Sequence, residues 1–290
     1  MKRNKAKKIE HVDLILTADW HLTDKQPECR VDDFYEAQFD KVRQIAALQA
    51  KYDCPVIHAG DLFDYWKPNF PLLIDAIKYL PKQFYTIYGN HDLPQHNLEL
   101  SKKSGIAVLE AAGVVNVLPG THWMQEPKPV TINNIELLVW HVMTWQGTTF
   151  PGDTSSPARS LLKKLPYELI LTGHNHKSFV EEFGRRVLVN PGAITRQSID
   201  QADFKPAVYL YRMLRNTITR HELKVSKNVV KMPEKREEKQ QREERLNLFV
   251  EKIAKQGNFT TNFVENIMQA LETQKVDEET RHIILESINH

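Results

Sequence analysis

Two cysteines in 290 residues are too few for a disulfide framework, and Cys29 and Cys54 match no metal-binding or C-x-x-C spacing. A small disulfide-stapled fold is excluded, and the two thiols read as buried or incidental. Long apolar runs are missing too, since none approaches the roughly 18 residues of a membrane span. The basic start Met1–Lys8 leads into Ile9-Glu10-His11 rather than an apolar segment, so a secretory leader is not expected and a reducing, cytoplasmic setting is. Charge of one sign is not in excess: 39 Lys+Arg against 37 Asp+Glu leaves +2. Affinity for an anionic polymer must then rest on local clusters. No G-x-x-x-x-G-K-S/T occurs, which argues against an intrinsic P-loop ATPase and leaves any motor to a partner.

What is present suits one sizeable core with an appendage, at 41% hydrophobic and 26% charged residues. Over 9–225, short β-type runs alternate with helical stretches, the pattern of helices covering sheets. The runs are Val12–Thr17, Pro55–Ala59, Gln83–Tyr88, Ile135–Val142, Glu168–Thr172, Arg186–Val189 and Ala207–Arg212, with Thr217–Val225 as a closing strand. Helices are expected over Asp33–Tyr52, Leu72–Leu80 and Leu98–Ala112, and Met143–Arg159 reads as a surface loop rich in turn formers. Composition changes after Val225: a charged linker over Glu234–Arg245 precedes three amphipathic stripes, beginning at Leu246, Phe263 and Ile284.

Chemistry-bearing residues gather where the strand-like runs end. Val12–Ala18 runs into Asp19-Trp20-His21, Pro55–Ala59 into Gly60-Asp61-Leu62-Phe63-Asp64, and Gln83–Tyr88 into Gly89-Asn90-His91-Asp92. Ile135–Trp140 ends on His141, and Glu168–Thr172 on Gly173-His174-Asn175-His176. Carboxyl ends of strands form one rim of an α/β sheet, so these pieces can converge on a metal site. Residues i and i+2 of an extended segment share a side, so Asp19 with His21, and His174 with His176, each aim two donors at one locus. Such a donor set exceeds one tetrahedral ion and suits two ions sharing a carboxylate, about 3.5–4 Å apart.

Together, Asp19-x-His21, Gly60-Asp61-x-x-Asp64, Gly89-Asn90-His91-Asp92, His141 and Gly173-His174-x-His176 resemble the motif series of calcineurin-like metallophosphoesterases. The resemblance covers roughly residues 9–200. With Asn190-Pro191-Gly192-Ala193, the wording is most similar to SbcD-type DNA repair nucleases and their bacteriophage relatives. Tyr65 and Asp92 stand where Ser/Thr protein phosphatases would carry Arg and Glu, which tells against that branch. The resemblance implies a four-layer α/β/β/α sandwich with a C-terminal helical extension. It implies one ion on Asp19, His21, Asp61 and His176, and a second on Asp61, Asn90, His141 and His174, with Asp61 bridging. His91 would lie beside the scissile phosphate and serve the leaving oxygen, while Asp64 and Asp92 orient ligands and His91 through hydrogen bonds. Donors without thiolate suit Mn²⁺, Fe or Zn²⁺, and the family tilts this to Mn²⁺.

The expected activity is that of a DNA exonuclease or endonuclease in repair or recombination. The alternative is a phosphoesterase for small diesters such as cyclic nucleotides or nucleotide-linked metabolites. Tyr65, Trp66 and Lys67, which follow the bridging aspartate, either stack on bases and touch phosphates or pack on their own domain. His96 and Arg196 are further possible substrate contacts. About 65 residues after the closing strands leave no room for the family's DNA-capping domain. The last helices either dock on an SbcC-type coiled-coil ATPase, pack on the catalytic domain, or make a homodimer.

Overall fold

A computed structural model describes residues 11–119, 122, 125–147, 156–231 and 281. In chain order its elements are β1 (Leu14–Thr17), α1 (Phe34–Tyr52), β2 (Val56–His58), α2 (Phe70–Tyr79), β3 (Phe84–Thr86), α3 (Gly105–Ala111), β4 (Asn116–Val117), β5 (Val130–Ile132), β6 (Ile135–His141), β7 (Thr144–Trp145), β8 (Ser156–Pro157), α4 (Ala158–Lys164), β9 (Leu169–Gly173), β10 (Phe179–Phe183), β11 (Arg186–Asn190), β12 (Ala207–Arg212) and β13 (Thr217–Glu222). One sheet has the order β13-β12-β1-β2-β3-β4 and the other β10-β11-β9-β6-β5, with β7 and β8 paired apart.

Two-residue periodicity sorts the strand side chains into separate cores. Leu14 and Leu16 of β1, Leu137 and Val139 of β6, Leu169 and Leu171 of β9, and Val187 and Val189 of β11 pack together between the sheets. Ile15 and Val56 face the other way, against Phe39, Val42 and Ile45 of α1, Leu72 of α2 and Ile106 of α3. Leu138, Ile170 and Leu188 meet Ala158, Leu161 and Leu162 of α4. The fold is thus mixed α/β with two sheets, the first backed by α1, α2 and α3 and the second by α4. Helix α1 starts where its sequence says it should: the Asp33 side chain accepts from Glu36 N, satisfying an otherwise unpaired donor of the first turn.

Several elements differ from expectation. The helix expected over Leu98–Ala112 is broken at Ser104, whose extended backbone ends a 3-10 segment (Leu98–Lys103) and whose side chain caps α3. Met143–Arg159, expected as a loop, contains β7, β8 and the start of α4, because Ala158, Leu161 and Leu162 have a core to bury into; residues 148–155 lie outside the described part. Strands β4, β5 and β10 were not expected. The chain divides into units 1–231 and 232–290. Beyond Val225, Val31 N bonds to Val229 O at 3.0 Å and Lys231 N to Cys29 O at 2.8 Å. The Met1–Lys8 arm and the linker and helices expected beyond Lys231 lie outside the described residues, apart from Arg281. No helix among the described residues is long and apolar enough to cross a membrane.

His58 sits in the middle of the first sheet, edge-on to Trp20 with ring centroids 5.5 Å apart. Its Nδ1 is 2.9 Å from Thr86 Oγ1, and its buried Nε2 has no hydrogen-bond partner. Burial pushes the ring down to about 3, so it stays neutral while the imidazole of the unfolded chain takes up a proton near 6.5. The unfolded state therefore binds more protons below that pH, and stability falls as pH drops from about 6.5 towards 3, by about 1.4 kcal/mol per pH unit from this group. Urea unfolding over that range is expected to show a shallower acid loss for His58→Gln than for the wild type. Equal slopes would assign the loss to other groups.

Candidate metal centre

Strand ends that lie level bring the site together. Thr17 of β1 is in register with His58 of β2, which is in register with Thr86 of β3; in the other sheet His141 of β6 pairs with Gly173 of β9. Past β1 and β2 the pairing continues through the loops, with Asp19 N to Gly60 O at 3.1 Å and His21 N to Asp61 O at 3.0 Å. The loops turn sharply: Asp19, His21, Asp61 and His174 all have positive φ, between 45° and 78°. L-residues adopt this at a cost of order 1–3 kcal/mol each, which the surrounding packing must offset.

The turns aim the side chains inward. Asp19, His21 and His176 present ligand atoms within 4.8 Å of one another, as do Asp61, His141 and His174. His21 joins the sets: its Nε2 is 3.0 Å from His176 Nε2 and 3.6 Å from Asp61 Oδ2. His141 Nε2 stands 3.2 Å from Asp61 Oδ2 and 3.0 Å from Asn90 Oδ1. Its Nδ1, 2.7 Å from the carbonyl oxygen of Ala59, must be the N–H, because a carbonyl only accepts. That fixes the tautomer and leaves Nε2 facing the oxygens, the usual arrangement of a ligating histidine.

Asp64 and Asp92 hold this frame. Asp64 Oδ1 lies 3.5 Å from His21 Nδ1, and its carbonyl accepts from His91 Nδ1 at 2.8 Å. Asp92 accepts from the backbone N–H of Asp61 (2.8 Å), Gly89 (3.0 Å) and Phe63 (3.1 Å), so one carboxylate ties the second motif to the third. His91 N donates to Asp61 Oδ1 at 2.9 Å, and the His91 side chain remains 40% exposed, open to a substrate.

The chemistry of the cluster fits divalent cations. Asp19 Oδ2 is buried and has no hydrogen-bond partner. Burial, reinforced by the Asp61 charge and opposed by His141, lifts the Asp19 carboxyl to about 6. Burial disfavours a charged His141, yet the Asp61 carboxylate against it raises the ring to about 9, so this spot draws positive charge. His174 and His176 are pushed down to about 4, by burial first and by neighbouring histidines, which keeps their lone pairs available.

The model of the calcineurin-like phosphoesterase superfamily domain matches residues 13–210. The chain belongs to this superfamily. Over 104 residues it is 36% identical to the DNA double-strand break repair protein Mre11 of Methanosarcina acetivorans and 32% identical to that of Methanosarcina mazei. Each match spans 32% of this chain and 16% of the relative, about a sixth of the relative's length. Among solved structures, a novel archaeal phosphodiesterase aligns with a TM-score of 0.45 at 15% identity, covering 72% of this chain and 99% of its own. Vacuolar protein sorting 29 from Cryptosporidium parvum aligns at 0.38 and 18%, covering 75% and 100%.

Not every expected residue of this calcineurin-like phosphoesterase is in the cluster. Arg196 is buried and donates to Ala202 O at 2.8 Å and Ser226 O at 2.6 Å, which occupies its guanidinium with backbone. His96 is exposed, with Nδ1 2.8 Å from Asn90 O. Asn190 had no expected role. Its amide donates to Asn175 O at 2.6 Å and Lys177 O at 2.8 Å, clamping the turn that carries His176. The Asn-Pro-Gly-Ala wording at the end of β11 was the available signal.

Gly89 has no space for a side chain: a Cβ there would stand 2.1 Å from Asp61 Oδ1 and 2.5 Å from Asp61 N. Gly89→Ala is therefore expected to displace the Asp61 carboxylate and weaken divalent-cation binding at least about tenfold, or 1.4 kcal/mol, in calorimetric titration. Circular dichroism would check that the variant folds; wild-type affinity would mean Asp61 does not hold metal.

Proposed function

We propose that this phosphoesterase is a two-metal DNA nuclease of repair or recombination, working with Mn²⁺ and with an SbcC-type coiled-coil ATPase as partner. The observation that carries the hydrolytic part is the convergence of Asp19, His21, Asp61, Asn90, His141, His174 and His176 from five strand ends, with His91 beside them. Similarity to Mre11 double-strand break repair proteins over 104 residues supports DNA as the polymer. The Mn²⁺ and ATPase assignments rest on the SbcD-like motif wording.

Asp19, His21, Asp61 and His176 would hold one ion, and Asp61, Asn90, His141 and His174 the other. Bound there, the ions would supply Lewis acidity, a water acidic enough to attack near neutral pH and charge opposite the phosphoryl oxygens. The chain's own part is orientation and proton transfer. Ala59 O and Asp64 keep His141 and His21 turned inward. The His91 Nδ1–H donates a hydrogen bond to Asp64 O, which leaves Nε2 facing the substrate; in the imidazolium form it is the Nε2 proton that passes to the leaving oxygen, leaving the ring neutral.

End-labelled single- and double-stranded oligonucleotides, bis-p-nitrophenyl phosphate and cyclic nucleotides, assayed side by side, test the reading. DNA is expected to be degraded with Mn²⁺ and spared after chelation. His91→Ala is expected to bind Mn²⁺ like the wild type and to lose about 10²–10⁴ in kcat, the usual worth of a positioned acid. Unchanged turnover removes the role given to His91, and a higher kcat/KM on cyclic nucleotides than on DNA overturns the nuclease assignment.

A further inference from the structure

Immediately after Asp64 the chain keeps aromatic surface that the metal cluster does not use. Tyr65 is 57% exposed and Phe70 81% exposed. The Tyr65 and Trp66 rings lie 5.4 Å apart at 48°, and Lys67 beside them is exposed. Aromatic side chains gain much from leaving water, so an uncovered Tyr65 ring backed by the half-buried Trp66 suits a ligand with a flat apolar face.

The backbone carrying the pair is tied at several points. Asp64 N donates to Leu22 O at 3.1 Å, and Trp66 O accepts from Gly105 N at 2.8 Å. Pro68 lies so close that a Cβ on Gly105 would come within 2.5 Å of it. Asn69 caps α2 through Leu72 N and donates to Asp24 at 2.6 Å. A ring presented on such a backbone loses little freedom when a ligand covers it.

One hydrogen bond links this segment to the chemistry. The carbonyl that accepts from His91 Nδ1 at 2.8 Å is that of Asp64, and it shares a planar peptide unit with the Tyr65 N–H. The imidazole beside the scissile phosphate and the aromatic pair are therefore held by one rigid unit.

We propose that Tyr65, backed by Trp66 and Lys67, is a stacking platform for an unpaired nucleobase next to the cut phosphodiester, which makes single-stranded or frayed DNA ends the preferred substrate. The inference deepens the nuclease reading and rests on it. A base inside a duplex has both faces covered by its neighbours, whereas a splayed base offers one to the ring. Stacking of this kind is worth about 1–3 kcal/mol per base, and Lys67 adds charge for an adjoining phosphate. The exposed surface continues along α2 and α3 as Ile74, Ile77 and Val108, aliphatic groups that suit a protein contact rather than a base.

The test compares an oligothymidylate, a wholly abasic oligonucleotide of the same length and a blunt duplex, with Mn²⁺, for the wild type, Tyr65→Ala and Tyr65→Trp. The wild type is expected to favour the single strand over the duplex and to lose about tenfold in kcat/KM on the abasic strand, mainly in KM. Tyr65→Ala is expected to show that loss already on oligothymidylate and no further loss on the abasic strand, and Tyr65→Trp to restore the wild-type pattern. An abasic penalty as large in Tyr65→Ala as in the wild type overturns the platform while leaving the nuclease reading intact. So does a Tyr65→Ala variant with wild-type kinetics but a changed sedimentation coefficient, which would assign the surface to a second copy of the chain. Cutting of the blunt duplex alone overturns the platform and leaves the nuclease reading intact, whereas failure of the wild type to cut any of the three substrates overturns both.

Discussion

Two buried carboxylates set the terms for the whole active face. Asp19 and Asp61 have almost no exposure, and taking an ionised carboxylate out of water costs several kcal/mol. Each is offset locally: His174 N donates to Asp19 Oδ1 at 2.8 Å and His91 N to Asp61 Oδ1 at 2.9 Å, with imidazoles closing the remaining sides. Asp19 Oδ2 still has no hydrogen-bond partner. A cluster of this kind is an unfavourable way to build a core and a favourable way to hold cations.

Backbone conformation follows from the same demand. Four residues of the cluster, Asp19, His21, Asp61 and His174, adopt left-handed φ, which would be an implausible concentration of strain in a structural loop. It persists because the loops have no freedom to relax. Asp92 gathers the N–H groups of Asp61, Phe63 and Gly89 on one carboxylate, and the pairing of β1 with β2 extends through their loops as far as Leu22 and Leu62. Asp92 thus fixes the backbone from which the Asp61 side chain enters the cluster.

The convergence of Asp, Asn and His side chains was more legible than the short elements around it. Asp, Asn and His at the ends of apolar runs are conspicuous because burial of such groups needs a reason, and the reason is shared by all of them. Strands buried on both faces, such as β1 and β9, announce themselves through nearly continuous apolar runs. By contrast β10 (FVEEF) is only half-buried, and β4 is two residues long, so neither has a period to read. Helix α4 did carry its stripe, but Ser155, Ser156 and Pro157 just before it read as turn chemistry. Ser104 was hidden inside an apparently continuous helical pattern, since a capping serine looks like any other polar residue until its backbone is seen extended. Clamps such as Asn190 and the Ala59 carbonyl were out of reach for a different reason. Their role depends on which strand lies beside which, and the β11-β9-β6 order is a property of the folded chain.

That order also decides what metal binding does to stability. Asp19, His21, Asp61 and Asn90 come from loops of the first sheet, while His141, His174 and His176 come from the second. Elsewhere the two sheets meet mainly through apolar side chains, a non-directional contact that tolerates small slides, with few hydrogen bonds across it such as Ser178 Oγ to the Tyr209 hydroxyl at 2.6 Å. Cations held by side chains from both sheets would add directional bonds across that seam, and any affinity they have for the folded chain over the unfolded one would become folding free energy. The ligand geometry and the sheet-to-sheet register are then coupled. A substitution that shifts the apolar seam should be felt at the ions even where it touches no ligand, and a change of ion size should be felt in the seam.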